Sequence, residues 1–182
     1  SYFEEYAAGL VGEFGLQADD LAIDIGSNDG TLLRLLRTVG MRTVGIDPAR
    51  NIALAANDQG IETIAEFFTA KRAADIRRQY GAAACVTANN VLAHIDDLAD
   101  VAAGVRTLLA PAGVFVFEVS YLVDLYRKAL FDTIYHEHLS YHSVAPLVGF
   151  FAGHGLQLID LARTPGQGGS LRGVVQLAGG PR

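Results

Sequence analysis

The segment FDTIYHEHLSYHS, residues 131–143, holds three histidines, a glutamate, an aspartate and two tyrosines, in a chain with five histidines altogether. Such a cluster suits two kinds of chemistry. Histidine titrates near neutrality and serves as a general base, with tyrosine and glutamate available to donate or to orient. Histidine also ligates metals, and His136, His138 and His142 form a candidate zinc triad. The spacing HEH is not HExxH, however: positions 136 and 138 diverge on a helix and share a face only on a strand. A polar loop without chemistry is the third reading. The choice among them depends on whether the rest of the chain sets this segment beside a ligand.

The elements that would do so alternate. Phe3, Tyr6, Ala7, Leu10, Val11 and Phe14 repeat at helical spacing over residues 2–15. LAIDIG (21–26) is a short apolar run with strand character, followed by the turn SNDG and a helix over TLLRLLRTV. RTVGID (42–47) predicts a second strand, and PARNIALAAND a second helix with Pro48 in its first turn. ETIA, AAACVTA (82–88) and GVFVFEVS (113–120) predict three more strands, with helices over TAKRAADIRRQY and around residues 98–109. VAPLVGFFAGHG reads as a helix closed by glycine. LQLIDLAR and SLRGVVQLA, separated by TPGQGG, read as an antiparallel hairpin. Strands alternating with helices imply a doubly wound, mostly parallel α/β sheet of seven strands, laid out as in the class I methyltransferases.

In such a sheet ligands sit beyond the carboxyl ends of the strands. The first loop there is IDIGSNDGTLL. A dinucleotide fingerprint would follow Gly26 with glycine at 28, so that backbone can approach a pyrophosphate. The chain has Asn28, and Asp29 adds a negative charge. That turn suits a ligand with positive charge and no phosphate, and S-adenosylmethionine, with its ammonium and sulfonium, is such a ligand. The candidate cofactor residues here are Asp24, Gly26, Ser27 and Asn28. Asp47 closes the second strand about twenty residues on, where an acid accepts ribose hydroxyls; its alternative role is to cap the next helix. Glu66 and Phe67 follow the third strand, where an adenine would lie. Asn89 and Asn90 end the fourth, and buried amides need partners. His94 is four residues further along the same crevice.

The net charge of −6 argues against nucleic acid as a partner. The run Lys71, Arg72, Arg77 and Arg78 has the spacing of a solvated helix face. No apolar run reaches the roughly 20 residues of a membrane helix. The lone Cys85 sits in an apolar run as a small hydrophobe, and a cytoplasmic location is the expectation. SYFEEYA reads like the interior of a protein, so residues 1–182 are expected to be one domain of a longer chain. The oligomeric state is not legible.

IDIGSNDGTLL, GIDPARN, NNVLAHIDDL, FEVSYL, IYHEHLSYHS and QGGSLR together resemble the S-adenosylmethionine-dependent sugar C-methyltransferases, which act on nucleotide-linked deoxysugars in antibiotic biosynthesis. The resemblance spans nearly the whole chain, and YHEHLSYHS is its most specific part. It implies a central methyltransferase domain, flanked in that family by a cysteine-rich zinc domain and a further αβ domain, neither of which lies in these residues. It implies no metal within them. It also implies Tyr135, Glu137 and His138 as acid–base residues, with His94 as a further polar contributor, acting on a keto-deoxysugar. Ser120 departs from the family, where proline often precedes the tyrosine. The chemistry fits such residues: a carbon beside a ketone becomes nucleophilic once a base removes its proton and donors hold the oxyanion. Two other readings stand beside this one, a cofactor-binding module without turnover and a His-ligated metal hydrolase.

Overall fold

The strand Leu21–Ile25 (β1) is buried at all five positions, as the central strand of a sheet covered on both faces must be. The computed structural model, which describes residues 2–182, builds the sheet around it. The other strands are β2 (Arg42–Ile46), β3 (Thr63–Ile64), β4 (Ala83–Asn89), β5 (Leu109–Ser120), β6 (Leu156–Thr164) and β7 (Ser170–Leu177). The helices are α1 (Tyr2–Phe14), α2 (Thr31–Thr38), α3 (Arg50–Asp58), α4 (Ala70–Tyr80), α5 (Leu98–Leu108), α6 (Leu122–Lys128) and α7 (Val144–Gly153). The strand order is β3-β2-β1-β4-β5-β7-β6. β1 pairs in parallel with β2 and β4, while β7 runs antiparallel between β5 and β6. This is the doubly wound, seven-stranded architecture read from the sequence, with its C-terminal hairpin inserted beside β5.

Side-chain alternation along the strands divides the core. Ile23, Val86, Phe115 and Phe117 pack into one cluster with α4, α5 and α7. Ala22, Cys85, Val114, Val116 and Val174 pack with α1 and α2 on the other face. Asp24, Thr87, Glu118 and Arg172 continue this second series toward the carboxyl ends of β1, β4 and β5 and the amino end of the antiparallel β7. The same face therefore turns from apolar to polar where the strands end.

Three boundaries differ from the expected ones. α3 starts at Arg50 rather than at Pro48, because the Asp47 carboxylate accepts the Ala49 N–H at 2.8 Å and holds a turn ahead of the helix. β3 has two residues: it is an edge strand paired only with β2, and the Glu66 N–H turns back to the Ile64 carbonyl. β5 begins early, with Leu109 already opposite Ala83 and a register shift before Cys85.

Candidate active site

The strand order reverses between β1 and β4, and the principal cleft opens there. It measures about 680 Å³ and is bounded by Asp24, Gly26, Asn28, Asp47, Asn89 and His94, among others. The path of the chain explains its shape. Gly26 has φ +70°, and a Cβ there would lie 2.5 Å from a Val91 methyl, so only glycine lets the β1 loop pass this close to the β4 loop. Gly30, also left-handed, leads into α2. Between them the Asp29 carboxylate accepts the Thr31 N–H at 3.0 Å. That bond places an anion at the start of α2, the place a phosphate takes in a dinucleotide fold.

The Asp47 carboxylate is fully oriented by main chain. One oxygen accepts Asn28 N–H at 2.9 Å and the other accepts Ala49 N–H. The structure shows the capping role, and the residue lines the cleft as well. Asp24 lies deeper, 5% exposed, and accepts the Thr87 hydroxyl at 2.6 Å across the β1–β4 pair. Burial pushes its carboxyl up to about 7; the Thr87 bond opposes the rise, and the charge of Asp47 adds to it. Ser27 is buried, with its hydroxyl over Gly45 of β2.

The ligand chemistry follows from these groups. Asp24, Asp29 and Asp47 line the cleft, and no lysine or arginine does so among the described residues. Ser27 Oγ and Asn89 Oδ1 are buried without a hydrogen-bond partner, and both residues line it too. Carboxylates and an unpaired amide oxygen suit a cationic, hydroxyl-bearing ligand and repel a phosphate. The residues therefore fit S-adenosylmethionine. Against the outer side of Gly26 and Val91 lies a second hollow, walled by Pro48, Phe67, Phe68, Ile95 and Asp96. Its apolar walls suit a flat ring. Asn90 lines the main cleft with φ +56°. Glu66 stands apart from both spaces: its carboxylate is taken by the Arg72 guanidinium, whose Nε donates to it at 2.9 Å.

The histidine loop meets this cleft at His94. The turn Leu92–His94 follows β4, and the Ala93 carbonyl accepts Leu139 N–H at 2.8 Å, docking the loop on the turn. The rings of His94 and His138 lie with centroids 4.9 Å apart, and the Tyr135 ring lies tilted against His138 at 4.4 Å. His138 Nδ1 is 2.7 Å from the Thr133 carbonyl and His94 Nδ1 is 2.9 Å from the Glu137 carbonyl. A carbonyl only accepts, so each Nδ1 carries hydrogen and each neutral ring keeps its lone pair on Nε2. His138 Nε2 lies 3.4 Å from the Tyr135 hydroxyl, a loose approach. The Glu137 side chain does not touch His138. It is exposed, and its recorded partner is His136 at 4.0 Å. What orients both imidazoles is main chain, not this carboxylate.

The three histidines of the segment do not converge. His136 is exposed, His138 faces His94, and His142 is buried with Nε2 at 3.1 Å from Ser140 Oγ. Among the described residues no three His, Cys, Asp or Glu side chains are grouped to hold a metal ion.

Two features have no forewarning in the sequence. Phe3, from α1, forms part of the cleft wall. Beside it, buried Glu118 accepts the Tyr2 hydroxyl at 2.6 Å and Arg172 Nη2 at 3.0 Å, while Arg172 lies 4.1 Å from the Tyr6 ring centroid. This network ties the start of α1 to the ends of β5 and β7. The helical period of α1 showed a buried face, but not that its first turn reaches a ligand cleft.

Comparison with known proteins agrees with this geometry. The family described as a methyltransferase domain matches residues 2–161. The chain is 46% identical over 161 residues to C-methyltransferase NovU of Streptomyces niveus, covering 88% of this chain and 38% of that protein. It is 28% identical over 152 residues to a ubiquinone biosynthesis O-methyltransferase of Colwellia psychrerythraea, covering 76% and 61%. The chain thus spans less than two thirds of either relative. Magnesium protoporphyrin IX methyltransferase from Synechocystis, solved with bound SAH, superposes with a TM-score of 0.70 at 14% identity, covering 96% of this chain and 81% of that one. The chain belongs to the methyltransferase-domain family, whose methyl donor is S-adenosylmethionine.

Proposed function

We propose that this domain transfers a methyl group from S-adenosylmethionine to a carbon beside the ketone of a nucleotide-linked 4-keto deoxysugar, through an enolate that the protein generates. The likeness to a C-methyltransferase supports carbon as the acceptor atom. The observation that carries the reading is the His94–His138–Tyr135 cluster, which joins the strand-end cleft at His94, with its two Nδ1 atoms already bonded to carbonyls.

The cofactor, when bound, supplies an electrophilic methyl on a sulfonium. The chain's own residues do the rest. Asp47 accepts ribose hydroxyls, Asp24 and Asn89 face positive charge, and the hollow beside Phe67 takes the adenine. His138 Nε2, with its lone pair directed away from Thr133, removes the proton from the acceptor carbon. The Thr133 carbonyl then stabilises the imidazolium through Nδ1–H. Tyr135 donates its hydroxyl to the developing oxyanion. His94 shares that environment, with Glu137 contributing its main-chain carbonyl to His94 and its exposed carboxylate to the acceptor. The surface that holds the sugar nucleotide is proposed to extend beyond these residues, since NovU is longer than this chain.

The test uses S-adenosylmethionine carrying a ¹³C-methyl group and a 4-keto sugar nucleotide. Carbon NMR of the product should show the label bonded to the carbon next to the ketone. A label on oxygen would sink the proposal and favour O-methylation.

A further inference from the structure

Tyr2, Phe3, Glu4 and Glu5 are all exposed, and the buried face of α1 begins only at Tyr6, Ala7 and Leu10. The first turn of the helix therefore lies outside the core, and the Tyr2 hydroxyl is what reaches into it. That hydroxyl donates to Glu118 at 2.6 Å and accepts from Arg172 Nη2 at 2.9 Å, which fixes its direction. Glu118 is 2% exposed. Arg172 matches its charge, with Nε and Nη2 donating to the same carboxylate oxygen at 3.2 and 3.0 Å. The other oxygen accepts the Thr164 hydroxyl at 3.2 Å. A carboxylate this deep is costly unless it is paired and hydrogen-bonded, and here it is both. The buried face from Tyr6 to Phe14 already packs α1 on the sheet, so what the Glu118–Arg172 pair adds is the placement of the first turn.

Glu118 also shapes the cleft. Its register partner on β4 is Asn89, and its main-chain carbonyl accepts the Asn90 N–H at 2.8 Å. Asn89, Asn90 and Phe3 all line the cleft. One residue thus holds Asn90 through its backbone and the neighbour of Phe3 through its side chain. The Phe3 ring stands edge-on to the Tyr2 ring, with centroids 5.4 Å apart. Its tether to Glu118 puts Phe3 on the β4–β5 side of the cleft, with Asn89. An aromatic face attracts a cation. Among the described residues no lysine or arginine lines the cleft to take that place.

We propose that Phe3 is a donor-contacting residue that covers the cationic end of S-adenosylmethionine, and that Glu118 and Arg172 position it by holding the Tyr2 hydroxyl. A first turn released from Glu118 swings on Tyr6 and uncovers that end of the cleft. The inference takes this cleft as the seat of the donor. It uses neither the acceptor nor His138, so the enolate reading stands or falls separately.

The test is calorimetric affinity for S-adenosylmethionine in the full protein that carries this domain. Phe3→Leu keeps apolar bulk and loses the ring, and binding should weaken about 3- to 30-fold. Phe3→Tyr keeps an aromatic face and should stay within about twofold of wild type. Tyr2→Phe removes only the hydroxyl and leaves Glu118 paired with Arg172 and Thr164, so the fold survives. Its affinity should fall about threefold or more. Because Tyr2 acts through Phe3, adding Tyr2→Phe to Phe3→Leu should weaken binding no further. A merely structural role for Tyr2 would instead add in full. Wild-type affinity in Phe3→Leu, or a Tyr2→Phe loss that adds in full to that of Phe3→Leu, overturns the proposal. Asp47→Ala, measured alongside, tells two failures apart. If it weakens binding while Phe3→Leu does not, the inference alone fails; if neither changes binding, the donor sits elsewhere and the reading of the cleft fails with it.

Discussion

In the strand-end cleft the candidate groups are buried carboxylates whose backbone is fixed by the sheet. In the histidine loop they are half-exposed rings whose orientation is set by carbonyls of two turns. Asp24 and Asp47 are 5% and 8% exposed. Around the loop, Phe131 is 76% and Ile134 67% exposed. A methyl donor that is the same for every turnover suits a rigid, preorganised cleft. On the proposed chemistry, an acceptor that enters, loses a proton and leaves suits a loop held by a few directional bonds, whose apolar rim can meet it. Hydrogen exchange protection should follow the same division, since a loop with few buried contacts opens at lower cost than a central strand.

Substitutions in the cleft should therefore act on donor affinity, and those in the loop on the proton step. The largest cleft effect is expected for Gly26→Ala. The added methyl meets Val91 at 2.5 Å in a left-handed backbone. Strain of about 1–3 kcal/mol together with displacement of the β1 loop should weaken S-adenosylmethionine binding by about 100-fold. Calorimetric affinity within a few-fold of wild type would show the cleft to be softer than described. Asp47→Ala comes next. Losing hydrogen bonds to a charged acceptor worth about 1.5–3 kcal/mol should weaken binding by about 10- to 100-fold. Unchanged affinity would remove Asp47 from the ligand's contacts.

Asp24 gives a pH signature. Burial pushes its carboxyl up to about 7 in the folded chain, from 3.8 for a free aspartate. Between those values the folded chain holds a proton that the unfolded chain has released. The stability contributed by this group is thus full below about pH 4 and is lost as pH rises through 7. A cationic ligand favours the ionised form, so donor affinity should rise across the same window. Asp24→Asn should flatten the dependence and, at pH 8, raise the thermal midpoint of the ligand-free chain. A dependence that persists in Asp24→Asn would place the titrating group elsewhere. The smallest effect belongs to Glu66→Gln, expected to change donor affinity less than about twofold, because surface ion pairs such as Glu66–Arg72 contribute about 0–1 kcal/mol. A tenfold loss would put Glu66 back in the site.

The two regions also differ in how far they could be read from the sequence. The position of Asp24, Gly26 and Asp47 at the cleft was legible because strand ends fix where side chains point. Glu66 lies outside both spaces because the edge strand β3 stops two residues before it and α4 offers it Arg72. The clustering of titratable groups in the loop was legible in its residue types, but the orientation of its rings was not. The groups that set it are the carbonyls of Thr133 and Glu137, and a carbonyl carries no sequence signature. Glu118 and Arg172 were equally silent, since their meeting depends on β7 entering the sheet beside β5 from 54 residues away.

The central claim is that His138 removes a proton from carbon, and proton exchange tests it without methyl transfer. The protein would be given a 4-keto sugar nucleotide and S-adenosylhomocysteine in deuterated water, and deuterium at the carbon beside the ketone followed by NMR. The wild type should incorporate deuterium steadily. His138→Asn should cut the rate by about 10²–10⁴, as loss of a general base does, while S-adenosylhomocysteine affinity stays the same. Exchange by His138→Asn at the wild-type rate would contradict the account and move the base to another residue, His94 first.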